Sequence, residues 1–265
     1  MDFTGRVALI TGAAGGIGGA AAERFAALGA DLHLVDVDEE GLSRRAESVA
    51  ATGRRATTST ADVTKSADVR GYVDAALREH GRIDAFFNNA GIEGPVATLA
   101  EYPEEEFQRV VSVNLFGVFL GLRHVLPVML EQGSGAIVNT GSLASERGLP
   151  SSGAYIATKH AVLGLTRTAA SEVAGRGVRV NAVLPGMIDT RMLRDLARQL
   201  AGDEEAGMAF LGAAAPAGRT GQPEEIAAVV AFLCSDDASF VHGVGWAVDG
   251  GALATMGNAP PPEQA

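Results

Sequence analysis

Cysteine, tryptophan and tyrosine are nearly missing from this chain, with one, one and three copies in 265 residues. A lone Cys234 excludes any intramolecular disulfide and fits a reducing, cytoplasmic address. Its neighbours Val229-Val230-Ala231-Phe232-Leu233 make it a small buried hydrophobe of a helix. Positive charge is short as well: 21 Lys and Arg stand against 32 Asp and Glu, a net charge of −11. A nucleic-acid partner needs a basic surface, so none is expected, and an acidic carrier protein would be repelled on approach. Met1-Asp2-Phe3-Thr4-Gly5-Arg6 lacks the basic region and apolar run of a signal peptide. No apolar stretch reaches about 18 residues without a charged or polar break, so no membrane partner is expected. His33, His80, His124, His160 and His242 show no ligand spacing with one another or with Cys234, so no metal is expected.

What is present reads as an ordinary globular chain, 47% hydrophobic and 20% charged, long enough to bury a large core. Short β-rich runs at 6–11, 31–36, 56–62, 83–88, 135–140, 179–184 and 245–248 alternate with helical patterns. The helices fall near 17–28, 39–51, 66–79, 104–131, 154–174 and 224–233. This alternation predicts an α/β fold with a doubly wound parallel sheet of seven strands and helices on both faces. No linker, repeat or composition shift interrupts residues 1–251, so one domain over 1–254 is expected. Within it, 187–218 reads as a helical flap over a substrate. Residues 255–265, with Pro260-Pro261-Pro262, read as an extended tail.

The first strand runs into Thr11-Gly12-Ala13-Ala14-Gly15-Gly16-Ile17-Gly18, and a helix follows. Glycines in a strand–turn–helix context let backbone N–H groups approach a pyrophosphate at the helix N-terminus, a Rossmann-type device. Asp36 closes the second strand, 18 residues after Gly18. A carboxylate there accepts from both adenosine ribose hydroxyls and repels a 2′-phosphate. Val35-Asp36-Val37-Asp38-Glu39 adds negative charge, and the turn carries no Lys or Arg, so NAD is favoured over NADP. The bland alternative, that Asp36 only caps the next helix, is one Asp38 fills equally well.

Tyr155-Ile156-Ala157-Thr158-Lys159 puts Tyr155 and Lys159 on one helix face. A phenol titrates near ~10; a neighbouring ammonium is expected to lower that value and make Tyr155 an acid/base. Ser142 follows the fifth strand in Asn139-Thr140-Gly141-Ser142, at a carboxyl end where ligand sites of open α/β sheets lie.

With Asp62-Val63, Asn88-Asn89-Ala90-Gly91, Asn114, Pro185-Gly186 with Thr190, and Asp249-Gly250-Gly251 in order, the chain resembles the short-chain dehydrogenase/reductase family over residues 4–251. The resemblance implies Asn114, Ser142, Tyr155 and Lys159 as catalytic residues, with Asn114 holding a water that links Lys159 to solvent. It implies Gly12, Gly16, Ile17, Gly18, Asp36, Asp62, Val63, Asn89, Gly91, Tyr155, Lys159, Pro185, Gly186, Ile188 and Thr190 as cofactor contacts. Thr158 stands where many members carry Ser. The implied reaction is reversible hydride transfer between NAD(H) and an alcohol or ketone, in a homotetramer. Leu143, Leu149, Met187, Met192 and Leu193 predict an apolar pocket for a small, cyclic or secondary alcohol. Two alternatives remain at this point: a 3-oxoacyl-(acyl carrier protein) reductase, and a non-catalytic dinucleotide-sensing protein.

Overall fold

The central strands are buried without alternation: every residue of β1 (Val7–Thr11) and β4 (Ala85–Asn88) is buried. Such runs need cover on both faces of a sheet. A computed structural model describes residues 1–255; the expected tail lies outside the described residues save for Thr255. The remaining strands are β2 (Asp31–Asp36), β3 (Ala56–Thr60), β5 (Gly135–Thr140), β6 (Val178–Pro185) and β7 (Gly245–Val248). They form one seven-stranded parallel sheet in the order β3-β2-β1-β4-β5-β6-β7.

Helices α1 (Gly16–Ala27), α2 (Glu39–Ala50) and α9 (Pro223–Cys234) cover one face. They pack Phe25, Leu42 and Val230 against Ala8 and Ile10 of β1. On the other face, α3 (Ser66–His80), α5 (Gly117–Gln132) and α6 (Gly153–Val173) pack around Leu9, Phe86 and Ile137. The expected fold class is therefore the observed one. Strand order reverses between β1 and β4, and a crevice opens at their carboxyl ends, where such sheets bind ligands. Cys234 is buried as expected, and Gly29 follows the end of α1 with φ 96°. Pro223 opens α9 behind a reciprocal cap between Gln222 and Glu225.

The observed elements depart from expectation at three places. The fourth strand starts at Ala85, not Ile83, because Asp84 turns its carboxylate onto the Val7 amide (2.9 Å) and the Arg82 guanidinium. The third ends at Thr60, because the Asp62 carboxylate closes its own turn by accepting from the Thr64 amide (2.9 Å) and hydroxyl (2.7 Å). The expected helix 104–131 is α4 (Glu104–Val111), a π-helical turn (Ser112–Phe116) and α5. By length and composition the composite helix 104–132 would cross a membrane, yet its Val118, Leu120, Leu122, Val125 and Met129 belong to the core under the sheet. The segment 187–218, expected to be helical, holds two helices, α7 (Arg191–Ala201) and α8 (Glu204–Ala213), which share a small core of Leu193, Ala197 and Leu211. The root of this segment is pinned: Asp189 and Gly221 exchange backbone bonds with Gly221 and Met187 (both 2.8 Å), and Ala217 bonds Gly250 (3.0 Å).

Candidate active site

The glycine turn is built for close approach. Gly12 adopts φ 68°, and a Cβ on Gly18 would sit 2.1 Å from the Gly12 carbonyl oxygen. No side chain caps α1 and no acidic residue stands in its first turn, so its first N–H groups face the crevice, as an anion needs. Asn89 ties this turn to the sheet. Its amide donates to the Thr11 carbonyl (3.1 Å), its oxygen accepts from Thr140 Oγ1 (3.1 Å), and its N–H donates to Thr11 Oγ1 (2.9 Å). Thr190 caps α7 through Leu193 N (3.3 Å), and its methyl would lie 3.0 Å from a Cβ on Gly16. The start of α1 and the start of α7 thus lie side by side.

Asp36 does not cap α2; Asp38 does, accepting from Gly41 N at 3.0 Å. Asp36 instead accepts from Ala14 N (3.0 Å), Val37 N (2.8 Å) and Asp38 N (3.1 Å), which fixes its carboxylate beside the glycine turn. Val63 packs against Gly117, where a Cβ would meet it at 2.9 Å. Pro185 ends β6 opposite Val248, and Gly186 leaves room for Asp249, 2.6 Å from its would-be Cβ. Ile188 is buried at the root of the flap. The cradle that any Cβ would fill, the open helix N-terminus and the Asp36 carboxylate together fit a dinucleotide.

Ser142, Tyr155, Lys159 and Asn114 converge beside this cleft. Lys159 is buried, its ammonium donating to the Thr140 carbonyl (2.8 Å) and lying 5.3 Å from the Tyr155 ring centroid. Burial lowers Lys159 to about 8, and the Glu93 carboxylate opposes that shift. Tyr155 departs from expectation. Burial pushes its phenol above the ordinary range, the Glu93 charge adds to the rise, and the neighbouring Ser142 hydroxyl works the other way. No hydrogen bond of standard geometry joins the Ser142 and Tyr155 oxygens. Desolvation is the leading cause, and no lowering by the Lys159 ammonium accompanies it.

Asn114 sits in the π-helical turn and grips the backbone of Ile92, accepting from its N–H and donating to its C=O, both at 2.8 Å. Both ends of its amide are therefore engaged with this chain. Gly91 lies between them: a Cβ there would be 3.3 Å from Asn114 Oδ1 and 3.8 Å from Lys159 Nζ. Thr158 donates to the Tyr155 carbonyl (2.8 Å) and accepts from Asn114 (3.4 Å), so the Thr in place of Ser joins the network.

Three contributors escaped the sequence reading. Ser145 accepts from Ser142 N (3.1 Å) and donates to the Lys159 carbonyl (2.8 Å), stapling the loop after β5 to α6. The Thr140 carbonyl holds Lys159, which no side-chain pattern reveals. Glu93 lies in the loop after β4, and its charge acts on both Tyr155 and Lys159. Of the expected apolar lining, Leu193 is instead committed to the flap's own core, whereas Met187 and Met192 are half-buried. Among the described residues no metal-ligating cluster exists.

Comparison with known proteins agrees with this geometry. The family model described as enoyl-(acyl carrier protein) reductase matches residues 12–252. Levodione reductase of Leifsonia aquatica is 48% identical over 95% of this chain and 96% of its own. A crystal structure of levodione reductase superposes with TM-score 0.93 at 47% identity, covering 96% of this chain and 100% of that one. Cyclohexanol dehydrogenase of Acinetobacter sp. (strain SE19) is 42% identical over 94% of this chain and 95% of its own. A 3-oxoacyl-[acyl-carrier-protein] reductase of Thermotoga maritima is 39% identical over 96% and 100%. An NAD+-bound xylitol dehydrogenase structure superposes with TM-score 0.90 at 38% identity, over 95% of this chain and 100% of that one. Matched along nearly its whole length in sequence and in fold, the chain belongs to the short-chain dehydrogenase/reductase family of nicotinamide-dependent oxidoreductases.

Proposed function

We propose that this enzyme interconverts a small, hydrophobic cyclic secondary alcohol and its ketone with NAD(H), using Tyr155 as the acid/base. The observation that carries the reading is the convergence of Tyr155, Ser142 and buried Lys159 beside a glycine cradle whose acidic neighbour is Asp36. A carboxylate fixed by three backbone N–H groups repels a 2′-phosphate and accepts from ribose hydroxyls, which favours NAD over NADP. When bound, the nicotinamide supplies the hydride acceptor or donor.

The chain's own groups handle the proton and the oxygen. Ser142 Oγ orients the substrate oxygen toward the Tyr155 phenol. With its acidity suppressed, that phenol is protonated at neutral pH and is set to donate to a ketone oxygen. Alcohol oxidation runs the same path backward, the phenolate taking the hydroxyl proton. Lys159, lowered to about 8, is able to return or accept a proton near neutrality, and Asn114 fixes the adjoining Ile92 peptide so the path keeps its shape. The resemblance to acyl-carrier reductases supports the runner-up, but the acidic surface argues against an acidic carrier. We further assign the protein to the cytoplasm and to a homotetramer.

The test is a panel of cyclic and linear secondary alcohols with NAD+ and NADP+, followed as reduced nicotinamide absorbance. Turnover of ring alcohols, with NAD+ preferred at least about tenfold, is expected; a discrimination of 1.4 kcal/mol suffices. Activity confined to thioester or carrier-bound 3-oxoacyl substrates overturns the reading.

A further inference from the structure

The flap is stiff inside and sparsely tied outside. Inside, α7 and α8 touch at their backbones: a Cβ on Gly207 would lie 2.4 Å from the Ala197 carbonyl oxygen. Arg194 binds both carboxylate oxygens of Asp189 (2.8 and 3.1 Å) and reaches Glu204 (3.4 Å), while Arg198 joins Glu204 and Asp195. Among the described residues, the ion pairs of α7 all stay within 189–204. Outside, the root is fastened at Asp189, Ala217 and Gly221. Between those fastenings, one hydrogen bond among the described residues leaves the flap: the Val96 amide donates to Gln199 Oε1 (3.3 Å).

Val96 belongs to a fixed post. Before it, Asn114 grips both polar atoms of Ile92 at 2.8 Å. After it, Ala97 N donates to the Ser151 carbonyl (3.0 Å), and Ala97 bridges Ser152 directly before α6. Ser151 has φ 61°, the one non-glycine residue with positive φ among the described residues, so this fastening is kept at a backbone cost. The post follows β4 and the flap follows β6, and β5 lies between them in the parallel sheet. The Gln199–Val96 bond therefore spans the carboxyl end of β5, where Ser142 stands. At the other end of α7, Thr190 lies against Gly16 of the glycine turn, so the flap borders the cofactor cleft too.

We propose that Gln199 is a positioning residue, a latch that holds the flap shut over bound cofactor and substrate by accepting from the Val96 amide. It touches no reacting atom. A lid has to open once per turnover, so its fastening must be worth little. A single amide on an exposed helix face meets that demand, because water replaces the bond on opening. The stiff helix pair gives this one bond leverage over the whole flap. The cofactor readout below needs only the family's nicotinamide; the substrate readout rests on the function proposed above.

Stopped-flow displacement of NADH from the wild type, Gln199→Ala and Gln199→Glu, beside steady-state reduction of cyclohexanone, tests this. In Gln199→Ala the NADH dissociation rate and the KM for the ketone should each rise about three- to tenfold, the net worth of one hydrogen bond exchanged for water. Its kcat should not fall. Gln199→Glu keeps an acceptor oxygen at the same reach and should stay within about twofold of the wild type. Alanine is well tolerated on an exposed helix face, and the maintained kcat reports an intact fold. A dissociation rate in Gln199→Ala below that range, or a glutamate variant as leaky as the alanine one, overturns the latch and leaves the alcohol/ketone reading standing. The expected dissociation rates in an enzyme inert toward cyclic ketones keep the latch and sink that reading instead.

Discussion

Tyr155 combines two physical demands that pull apart. It must be buried to exclude water from the reacting oxygen, and burial raises the cost of its anion. The suppressed acidity of the phenol suits proton donation to a ketone and makes oxidation the direction that gains from alkali. Tyr155→Phe keeps the ring against Lys159 and removes the proton that would be transferred to the reacting oxygen. Its kcat should fall by about a thousandfold, within the range general acid–base catalysis supplies, while NADH affinity moves less than about threefold. Turnover assays beside a fluorescence titration of NADH check this, and a variant retaining a tenth of wild-type kcat refutes the acid/base assignment. At this scale the sequence was most informative where side chains do the work. Tyr155, Lys159, Ser142 and Asp36 announce themselves by spacing. Thr140 contributes a carbonyl that any residue type has, and Ser145 acts across the 14 positions to Lys159, so neither leaves a local trace. Glu93 was visible only as one acidic residue in a loop, because its significance comes from the α6 charges that the fold brings opposite.

Between β2 and β3 a histidine occupies a position that strands usually give to aliphatic residues. His33 is 1% exposed, with Nδ1 bonded to Thr57 Oγ1 (2.7 Å) and Nε2 to Ser59 Oγ (2.9 Å). Thr57 passes the contact on to His80 Nε2 (2.7 Å) at the end of α3. Burial first, and the neighbouring His80 second, hold His33 down to about 4 against an ordinary 6.5. A base with a lowered folded pKa takes up its proton first in the unfolded chain. Its contribution is therefore complete above pH 6.5, is lost as pH falls toward 4, and changes no further below that. The shift corresponds to about 3 kcal/mol. Urea unfolding of the wild type and of His33→Gln, whose amide still bonds the two hydroxyls, reads it out. From pH 7.5 to 4 the wild type should lose about 3 kcal/mol more than the variant; parallel losses reject the mechanism. The same strands show why element boundaries were harder to see than elements. A β-branched run marks β3 and an apolar one β4, but their ends are set by the Asp62 and Asp84 carboxylates, which take up backbone N–H groups. Likewise the apolar pattern of 104–131 is continuous, and only the grip of Asn114 on Ile92 explains the π-helical turn inside it.

For the whole molecule, two apolar surfaces remain to be covered. One lies on the composite helix, where Phe107, Phe116 and Phe119 are exposed and the last two rings stack at 5.9 Å. The other is at the sheet edge, where β7 pairs only with β6, Trp246 is 38% exposed, and nearby Phe240 is fully exposed. An open edge strand carrying aromatics invites association, and two distinct patches, each self-paired about a two-fold axis, close a tetramer. With −11 charges per chain, the protomers of the proposed tetramer would repel at long range, so its assembly would draw on these apolar faces and tighten as salt screens the charge. Phe116→Glu with Phe119→Glu places like charges across one axis and leaves the β7 edge intact. Light scattering after size exclusion should then find dimers where the wild type gives tetramers. Phe116 closes the π-helical turn that carries Asn114, so the proposed interface would also brace the clamp on Ile92 and, through it, the loop after β4. The dimer should accordingly lose activity through kcat as well as assembly. A dimer with wild-type kcat would separate interface from site, and a monomeric wild type would remove the tetramer altogether.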